Sequence, residues 1–440
     1  MGITPVAQAK PQIVITFHMV GGSVHLGEYY TTFEFKAMVN GGYTIKADLY
    51  DPHFNLQSKL VESGYFQHSR LAPVLVEFQI KWGPDATIGK DATVKQIAYL
   101  LSLRAYGDGS DKSNIEFTAM DPPSFFLNMG DAYGGVIKGS VHQVLRKVVQ
   151  KYAPRIKVEV SKTIDSEHNK WWMMRQDPKT FISSILDWSA SITQDKTHWL
   201  VVSDGYNLMI KEQSKFKSRQ RGYYRAYADN QPANIAEWNL AADNALSLVQ
   251  TKLTAQGASA ATGAYYDQVT DAKEGKTVVK DSTTFNKQTA KVTNEQSFTK
   301  PPDTTYPYVG YTSIASIPEI YSAGDLGISY HDYIDGRPRA MWLNMMQGLL
   351  RVKISVVGHA IYRDCVGLGV DTVFIRWVSG PSGGDEKQNW WMTGNWTIYG
   401  FHHKVDRGNW VTDLYLYRFD HDTSSKKVGG KPEEKVDTLT

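Results

Sequence analysis

Alternating apolar and polar residues dominate the first 120 residues of the chain. Runs of this kind are typical of half-buried β-strands. They fall at 13–17, 29–35, 43–50, 71–82, 93–105 and 115–120. The glycine pairs Gly21-Gly22 and Gly41-Gly42 separate strands as turns, and Pro122-Pro123 ends the series. Several short strands with glycine turns predict a closed or nearly closed antiparallel barrel.

A helical period replaces the alternation in the middle of the chain. Apolar residues recur on one helix face from Val141 to Tyr152, and Ser140 is placed as the N-cap. Asp177-Pro178 has the residue types of an N-cap and a first helical position, and a second apolar helix face follows. A strand at 156–160 and a hairpin over Ser203-Asp204-Gly205 complete a small predicted α/β unit.

Strand patterns return in the last third of the chain. They fall at 352–357, 371–378, 396–401 and 410–417, and they predict a second antiparallel barrel or sheet. A helical stripe at 339–350 precedes them, whereas 235–249 fits a strand or a helix equally well. The polar segment 254–336 is expected to form hairpin extensions or a functional arm. The last twenty residues, 421–440, have few apolar groups and are expected to be mobile.

The predicted fold class is therefore mainly β with an α+β insert. The chain of 440 residues is long enough for several cores. We divide it into a first β-barrel domain at 1–130, a small α/β domain at 131–215 and a second β-barrel domain at 216–420. The second barrel contains the long polar insertion at about 254–336, and a flexible tail follows at 421–440. We find no short-period repeat.

Composition narrows the range of partners. The net charge is only +3, which argues against a dedicated nucleic-acid binder with a basic stripe. A local run from Lys211 to Arg225 contains six cations and one Glu, and we interpret it as a solvated linker or a charge-matched protein contact. The 25 Tyr, 16 Phe and 12 Trp residues suit pleated surfaces and protein interfaces.

Cysteine content and the N-terminal sequence add further expectations. Cys365 is the one cysteine, so no intrachain disulfide forms, and we expect it to be a small core residue rather than a catalytic thiol. The N-terminal residues lack the pattern of a signal peptide, and Val6 departs from the myristoylation pattern. No run of about 18 apolar residues is present, so we expect no membrane insertion.

Short motifs of enzymes match poorly. The segment 380–384 has the letters of a GxSxG nucleophile elbow, but a polar loop follows it instead of a helix. Residues 275–277 resemble the end of a P-loop, but Thr270 occupies the place of its first glycine. The segment Gly367-Leu-Gly369 lacks the third glycine of a dinucleotide loop and is interpreted as a turn.

The sequence signals for metal-binding and sugar-binding sites are equally weak. His402 and His403 point to opposite faces of a strand, and the acidic turns at 108–111 and 332–336 lack the ligand spacing of a calcium loop. Tryptophans at 171–172, 390–391 and 396 suggest either a sugar-stacking platform or buried and interfacial aromatics. No carboxylate pair stands out as a glycosidase pair. We therefore predict no catalytic, cofactor-binding or metal-binding residues, and no enzyme activity.

The order of these parts resembles the baseplate hub proteins of contractile-tailed bacteriophages, which are related to the hub part of VgrG-like and late-control proteins. Three stretches carry the resemblance. They are the helical unit that leads from Gly139 through 172–186 to 197–202, the strand, glycine turn and strand at 357–373, and the hairpin at 396–418.

The resemblance implies a homotrimer in which each subunit contributes two tube-like barrels to a pseudo-sixfold ring. Such a ring joins a hexameric tail tube to a trimeric central spike, leaves a channel for DNA and lies in the virion baseplate after assembly in the host cytoplasm. Baseplate wedge proteins are further candidate partners. No lysozyme domain and no spike repeat follows Arg418, so these would be separate chains. The alternatives are a peripheral receptor-binding or glycan-binding tail protein and a tail-associated cell-wall hydrolase.

Overall fold

The structure of the protein is a computed structural model. It describes residues 11–26, 30–66, 73–82, 93–107, 112–129, 133–161, 170–189, 199–212, 218–227, 235–242, 264–265, 278–279, 350–358, 362, 365–379, 387–388, 393–406 and 409–418. Most of the predicted insertion at 254–336, the predicted helix at 339–350 except Leu350, and the predicted tail at 421–440 lie outside the described residues.

The N-terminal part folds into a curled antiparallel sheet, which we call the first β unit. Its elements are β1 (Pro11–Met19), β2 (Gly22–His25), β3 (Tyr30–Met38), β4 (Gly42–Pro52), α1 (Asn55–Glu62), β5 (Leu75–Trp82), β6 (Val94–Gly107) and β7 (Lys112–Met120). The strand order is β3-β4-β7-β6-β5-β1-β2. Phe33 and Phe35 of β3 contact Phe78 of β5 with ring centroids 5.1 and 4.9 Å apart, because the sheet curls around its apolar face. The predicted strands are confirmed, whereas β2 and α1 were not predicted.

The middle of the chain forms the α/β unit. Its elements are α2 (Pro122–Asn128), β8 (Tyr133–Lys138), α3 (Val141–Tyr152), β9 (Lys157–Val160), β10 (Lys170–Gln176), α4 (Pro178–Ser189), β11 (Trp199–Asp204) and β12 (Asn207–Glu212). Ser140 and Gln143 form a capping box at the start of α3, as the sequence predicts for Ser140. The hairpin β11–β12 is also confirmed, and β9 pairs with β12 in parallel. Buried residues of α3 and α4 pack together in a core of their own.

The C-terminal part is the second β unit. Its elements are β13 (Gln220–Tyr227), β14 (Ile235–Ala242), β17 (Leu350–Val357), β18 (Thr372–Ser379), β19 (Lys387–Gln388), β20 (Gly394–Asp406) and β21 (Asn409–Arg418). Between β14 and β17 in the chain, β15 (Ala264–Tyr265) and β16 (Val278–Val279) pair with each other in a separate two-stranded sheet. The order is β14-β17-β21-β20-β18-β13, and β13 pairs with β18 in parallel. The undecided segment 235–249 thus begins as a strand.

Both β units belong to one sheet, because β20 pairs antiparallel with β3 from Gly400↔Met38 to Asp406↔Thr32. One hydrophobic core runs beneath this shared sheet and contains buried residues of both units, among them Phe35 and Phe401 with ring centroids 5.5 Å apart. The mainly β fold class with an α/β insert is confirmed. The boundaries of the domains stay predictions.

The turn between β3 and β4 touches all three units. The Val39 amide donates to the Tyr399 carbonyl at 2.8 Å in the second β unit. Asn40 exchanges two bonds with Val201 of β11: its amide donates to the Val201 carbonyl at 2.9 Å, and its Oδ1 accepts from the Val201 amide at 2.8 Å. Asn40 has φ 60, a left-handed conformation that Asn tolerates better than most residues. The turn therefore fixes the first β unit against both neighbours.

A buried carboxylate strengthens the same region. Asp121 is the N-cap of α2 and accepts from the Ser124 amide at 2.9 Å. It also accepts from the Tyr43 amide at 3.0 Å and from the Ser203 hydroxyl at 2.8 Å. One side chain thereby joins β4, α2 and β11.

Candidate functional site

The shared sheet has one apolar face and one charged face. Eight neighbouring strands take part, in the order β14-β17-β21-β20-β3-β4-β7-β6. Because side chains alternate along a strand, Phe33, Phe35 and Phe401 point into the core while their neighbours point away from it. The charged face is defined by Arg104, Tyr106, Glu116, Asp48, Lys46, Lys36, Glu34, Thr32, Asp406, Lys404, His402, Asp413, Ser355, Lys353 and Glu237.

Acidic and basic residues are interleaved across the charged face. In one cross-strand row Lys404, Glu34 and Lys46 stand opposite one another. In the next row Asp48 and Glu116 are direct neighbours, and Arg104 follows Glu116. Opposite charges on paired strands attract and like charges repel. The face as a whole therefore carries a mixed charge with no extended basic stripe.

A polar groove of about 480 Å³ lies on the first-unit half of the charged face. Its floor includes Asp48, Lys46, Glu116 and Arg104. The Tyr106 hydroxyl donates to both carboxylate oxygens of Asp48 at 2.8 Å. This hydrogen bond to an anion raises the pKa of Tyr106 above its ordinary value, since losing the proton would place two negative charges together.

The two β units meet at a histidine pair. His402 lies on the charged face, and its Nε2 is 3.1 Å from Glu34 across the β3–β20 junction. Burial lowers the pKa of His402, and the nearby Glu34 carboxylate opposes that shift. His403 faces the core instead, where its Nδ1 accepts from Trp410 Nε1 at 3.1 Å and its Nε2 is 2.9 Å from the Tyr362 carbonyl. The two imidazoles therefore lie on opposite faces, as strand alternation predicts.

Asp413 is a buried carboxylate at the second-unit end of the charged face. It accepts from the Ser355 hydroxyl at 2.6 Å and from the ammonium groups of Lys404 at 2.7 Å and Lys353 at 3.0 Å. Burial alone would raise the pKa of Asp413, but the hydrogen bonds from Lys404, Ser355 and Lys353 outweigh it and lower the pKa. Asp413 thus stays ionised and ties three strands together.

The basic run of the sequence has a charge-matched partner. Asp371, which is buried, accepts from the Arg219 amide at 3.0 Å, from the Arg219 guanidinium at 3.3 Å and from Arg221 Nε. The Ser218 hydroxyl donates to the Val370 carbonyl at 2.7 Å. These bonds attach the entry into β13 to the start of β18. Of the two interpretations of the run, the charge-matched contact applies to these two arginines.

Several candidate motifs from the sequence have defined positions in the structure. Cys365 is buried in the core, as expected, and Gly367 to Gly369 form part of a turn. Trp396 is fully buried beside Arg418, so its ring is not available for sugar stacking. The remaining candidates lie outside the described residues: the segments 380–384, 275–277, 108–111 and 332–336, and Trp390 and Trp391. The same holds for the side chains of Trp171 and Trp172.

The described parts of the chain lack a group of three or more His, Cys, Asp or Glu side chains placed to hold a metal ion. None of the helices described is long and apolar enough to cross a membrane. The charged face, the Asp371 contact and the Asp121 contact were not predicted. An Asp-Pro signal of the kind seen at Asp177-Pro178 is also present at Asp121-Pro122 and would have identified that N-cap.

Comparison with known proteins gives a consistent result at the level of fold. No protein-family model matches the chain, and no curated protein matches its sequence. The tail protein from Neisseria meningitidis MC58 superposes with a TM-score of 0.55 at 10% identity, over 92% of this chain and 96% of that protein. A chain of the lidded PdpA–VgrG complex of Francisella superposes with a TM-score of 0.52 at 9% identity, over 94% of this chain.

The match spans 54% of that Francisella chain, so this protein corresponds to about half of it. The resemblance inferred from the sequence is thereby confirmed for the fold. Over 92% of its length this chain has a fold similar to that of the tail protein from Neisseria, and that fold is shared with a part of the PdpA–VgrG complex.

Proposed function

We propose that the protein is a structural, non-enzymatic hub of a phage-type tail baseplate, and that three copies form a ring around a channel. The observation that carries this proposal is the shared sheet, which places two curled β units side by side in one chain with a continuous charged face. The fold shared with the Neisseria tail protein supports a role in a tail. The hub would join a hexameric tail tube to a trimeric spike, with wedge proteins as further candidate partners.

The charged face suits the wall of a DNA channel. A wall rich in Lys and Arg would release counterions from DNA and bind it tightly, in a salt-dependent manner. Here Glu34 lies between Lys404 and Lys46, and Glu116 lies between Asp48 and Arg104. This interleaving keeps the wall hydrated and prevents strong adhesion to phosphate. DNA would then pass without specific binding, in a virion assembled in the host cytoplasm.

Light scattering coupled to size-exclusion chromatography tests the ring. The chain has a mass of 49.4 kDa, and the expected particle has three times that mass. Negative-stain images should show a collar with a central opening. A monomer that persists at high protein concentration would overturn the proposal.

A charge-reversal experiment tests the channel wall separately. Glu116 and Asp406 are exposed on the charged face, so the double variant Glu116→Lys, Asp406→Lys should fold and assemble normally. Its rings should acquire salt-sensitive binding to DNA in a filter assay, since the wall becomes basic. The matched control is Glu62→Lys, which changes an exposed residue of α1 away from this face. Equal DNA binding by the control and the double variant would exclude the charged face as the channel wall.

A further inference from the structure

The core side of the β3–β20 junction contains a buried polar network centred on His403. His403 lies on β20, opposite Phe35 of β3 and opposite Thr412 of β21, and is 0% exposed. Its ring is stacked on that of Phe35, with centroids 6.0 Å apart and planes at 17°, and the Phe401 ring lies 5.2 Å away. One imidazole therefore contacts both β units at the place where they join.

The partners of His403 define the state of its two ring nitrogens. The indole N–H of Trp410 can only donate a hydrogen bond, and its Nε1 lies 3.1 Å from His403 Nδ1. Nδ1 must therefore accept, which requires that it carries no proton. A neutral imidazole then has its proton on Nε2, and this N–H donates to the Tyr362 carbonyl at 2.9 Å. His403 is thus a neutral ring with a defined tautomer.

Thr412 differs from Trp410 in what it can offer to the same nitrogen. The Thr412 hydroxyl lies 2.8 Å from His403 Nδ1, and a hydroxyl can donate or accept. When Nδ1 takes up a proton, the hydroxyl can turn and accept a hydrogen bond from it. The Trp410 indole cannot, so its N–H would face another N–H. Thr412 is therefore compatible with both protonation states of His403, and Trp410 only with the neutral one.

Trp410 connects this chemistry to the end of β17. Its carbonyl accepts from the amide of Gly358 at 2.7 Å, directly after the last residue of β17. Its indole is buried and lies so close to Gly358 that a Cβ on this glycine would overlap the ring. Displacement of the indole would disturb this contact and the adjacent β17–β21 pair Val357↔Val411. A change at His403 can thus reach the edge of the second β unit.

The surroundings of His403 let it respond to pH without interference from a second titration. Tyr362 contacts His403 through its carbonyl, and its hydroxyl is bonded to the Tyr224 hydroxyl. Burial raises the pKa of Tyr362 well above its usual value, so it stays neutral wherever a histidine titrates. The Arg221 charge, which opposes that shift, is paired with Asp371. The charged residues next to His403 and Phe35 along their strands lie on the opposite face of the sheet: they are Lys36, Glu34, His402 and Lys404.

We propose that His403 is an acid-operated latch: a proton taken up from solvent at Nδ1 is bound by the Thr412 hydroxyl and releases the Trp410 indole, which loosens the end of β17. In the unfolded chain a histidine takes up this proton below about pH 6.5. The buried neutral ring does so less readily, so its contribution to stability is complete above that pH and decreases as the pH falls below it. This inference concerns the core of one chain and does not depend on the proposed ring or channel.

Fluorine NMR of the full chain labelled with 5-fluorotryptophan tests the latch. The chain has 12 Trp, and the resonance that is absent from Trp410→Phe belongs to Trp410. This resonance should shift between about pH 8 and pH 5 while circular dichroism shows that the protein stays folded. His403→Gln should abolish the shift. Thr412→Val should lower its midpoint by about one pH unit, because the protonated ring loses a buried acceptor while Trp410 still serves the neutral ring.

The matched control is His402→Gln, which removes the neighbouring imidazole on the opposite face of the same strand. It should leave the midpoint of the Trp410 resonance unchanged. If His403→Gln does not fold, Thr412→Val still decides the question, since it retains the ring and the indole. A Trp410 resonance that stays fixed down to the pH of acid unfolding would overturn the proposal. So would an equal or higher midpoint in Thr412→Val, or a shift that disappears in His402→Gln.

Discussion

Replacement of Asp121 by alanine should destabilise the protein far more than a normal N-cap substitution. Loss of an N-cap side chain costs about 1 kcal/mol. Asp121 is 1% exposed and also accepts from the Tyr43 amide and the Ser203 hydroxyl. Each buried donor left without a partner costs about 1–3 kcal/mol. The free energy of unfolding should therefore fall by about 3–7 kcal/mol.

Asp177 provides the matched control, since it also precedes a proline and caps a helix. It accepts from the Thr180 amide at 2.8 Å and from the Thr180 hydroxyl at 2.6 Å, and both bonds are exposed. Asp177→Ala should cost only about 1 kcal/mol. Urea unfolding followed by tryptophan fluorescence measures both variants.

Hydrogen exchange provides a local measurement for the same pair of variants. The amides of Tyr43 and Ser124 should lose protection in Asp121→Ala, because both donate to this carboxylate. Protection of the Thr180 amide should change only in Asp177→Ala. If both variants lose the same stability and Tyr43 keeps its protection, the reasoning about the buried bonds is wrong.

Four further substitutions have defined outcomes. Asp371→Asn should lower the free energy of unfolding by about 3 kcal/mol in urea, because it removes the buried charge that accepts from both arginines, whereas Arg219→Gln should cost less since Arg219 is 49% exposed. The pKa of Asp413 is lowered from 3.8 in the folded protein, so its contribution to stability is complete above pH 3.8 and is lost as the pH falls below that value. Asp413→Asn should therefore make the melting temperature less dependent on pH in the acid range, and an unchanged dependence would contradict the assignment. Gly369→Ala should destabilise the protein by about 1–3 kcal/mol in thermal unfolding, because Gly369 has φ +84 and an added Cβ would lie 2.9 Å from Leu200. A melting temperature equal to that of the unmodified protein would refute this prediction.

Local patterns in the sequence were sufficient for most elements of the fold. Alternation identified β3, β4 and β21 because each has one face in the core, and the capping pattern at Ser140 identified α3. Helix α2 was missed because seven residues give too little periodicity, and Pro122-Pro123 was interpreted only as the end of the barrel. The parallel partner of β13 leaves no trace in its own sequence.

The candidate site could not be predicted from local sequence. Its charged residues are ordinary outward positions on each strand and acquire a common face only when β20 pairs with β3, more than 350 residues away in the chain. The Asp371 contact similarly brings together groups about 150 residues apart. Which strands pair over such distances in the chain is decided by the packing of the whole hydrophobic core, and local sequence patterns do not report it. The sequence supplied the individual strands and their inward sides, but not the surface that they build together.

The β3–β20 pairing also affects how an assembly of such chains would form. Because both partner strands belong to one polypeptide, this seam closes at a high effective concentration and without the translational entropy loss of a bimolecular encounter. Its formation does not depend on how much protein is present. In a ring of such chains, the junction between the two β units of each chain would therefore form during folding, and dilution would act only on the contacts between copies.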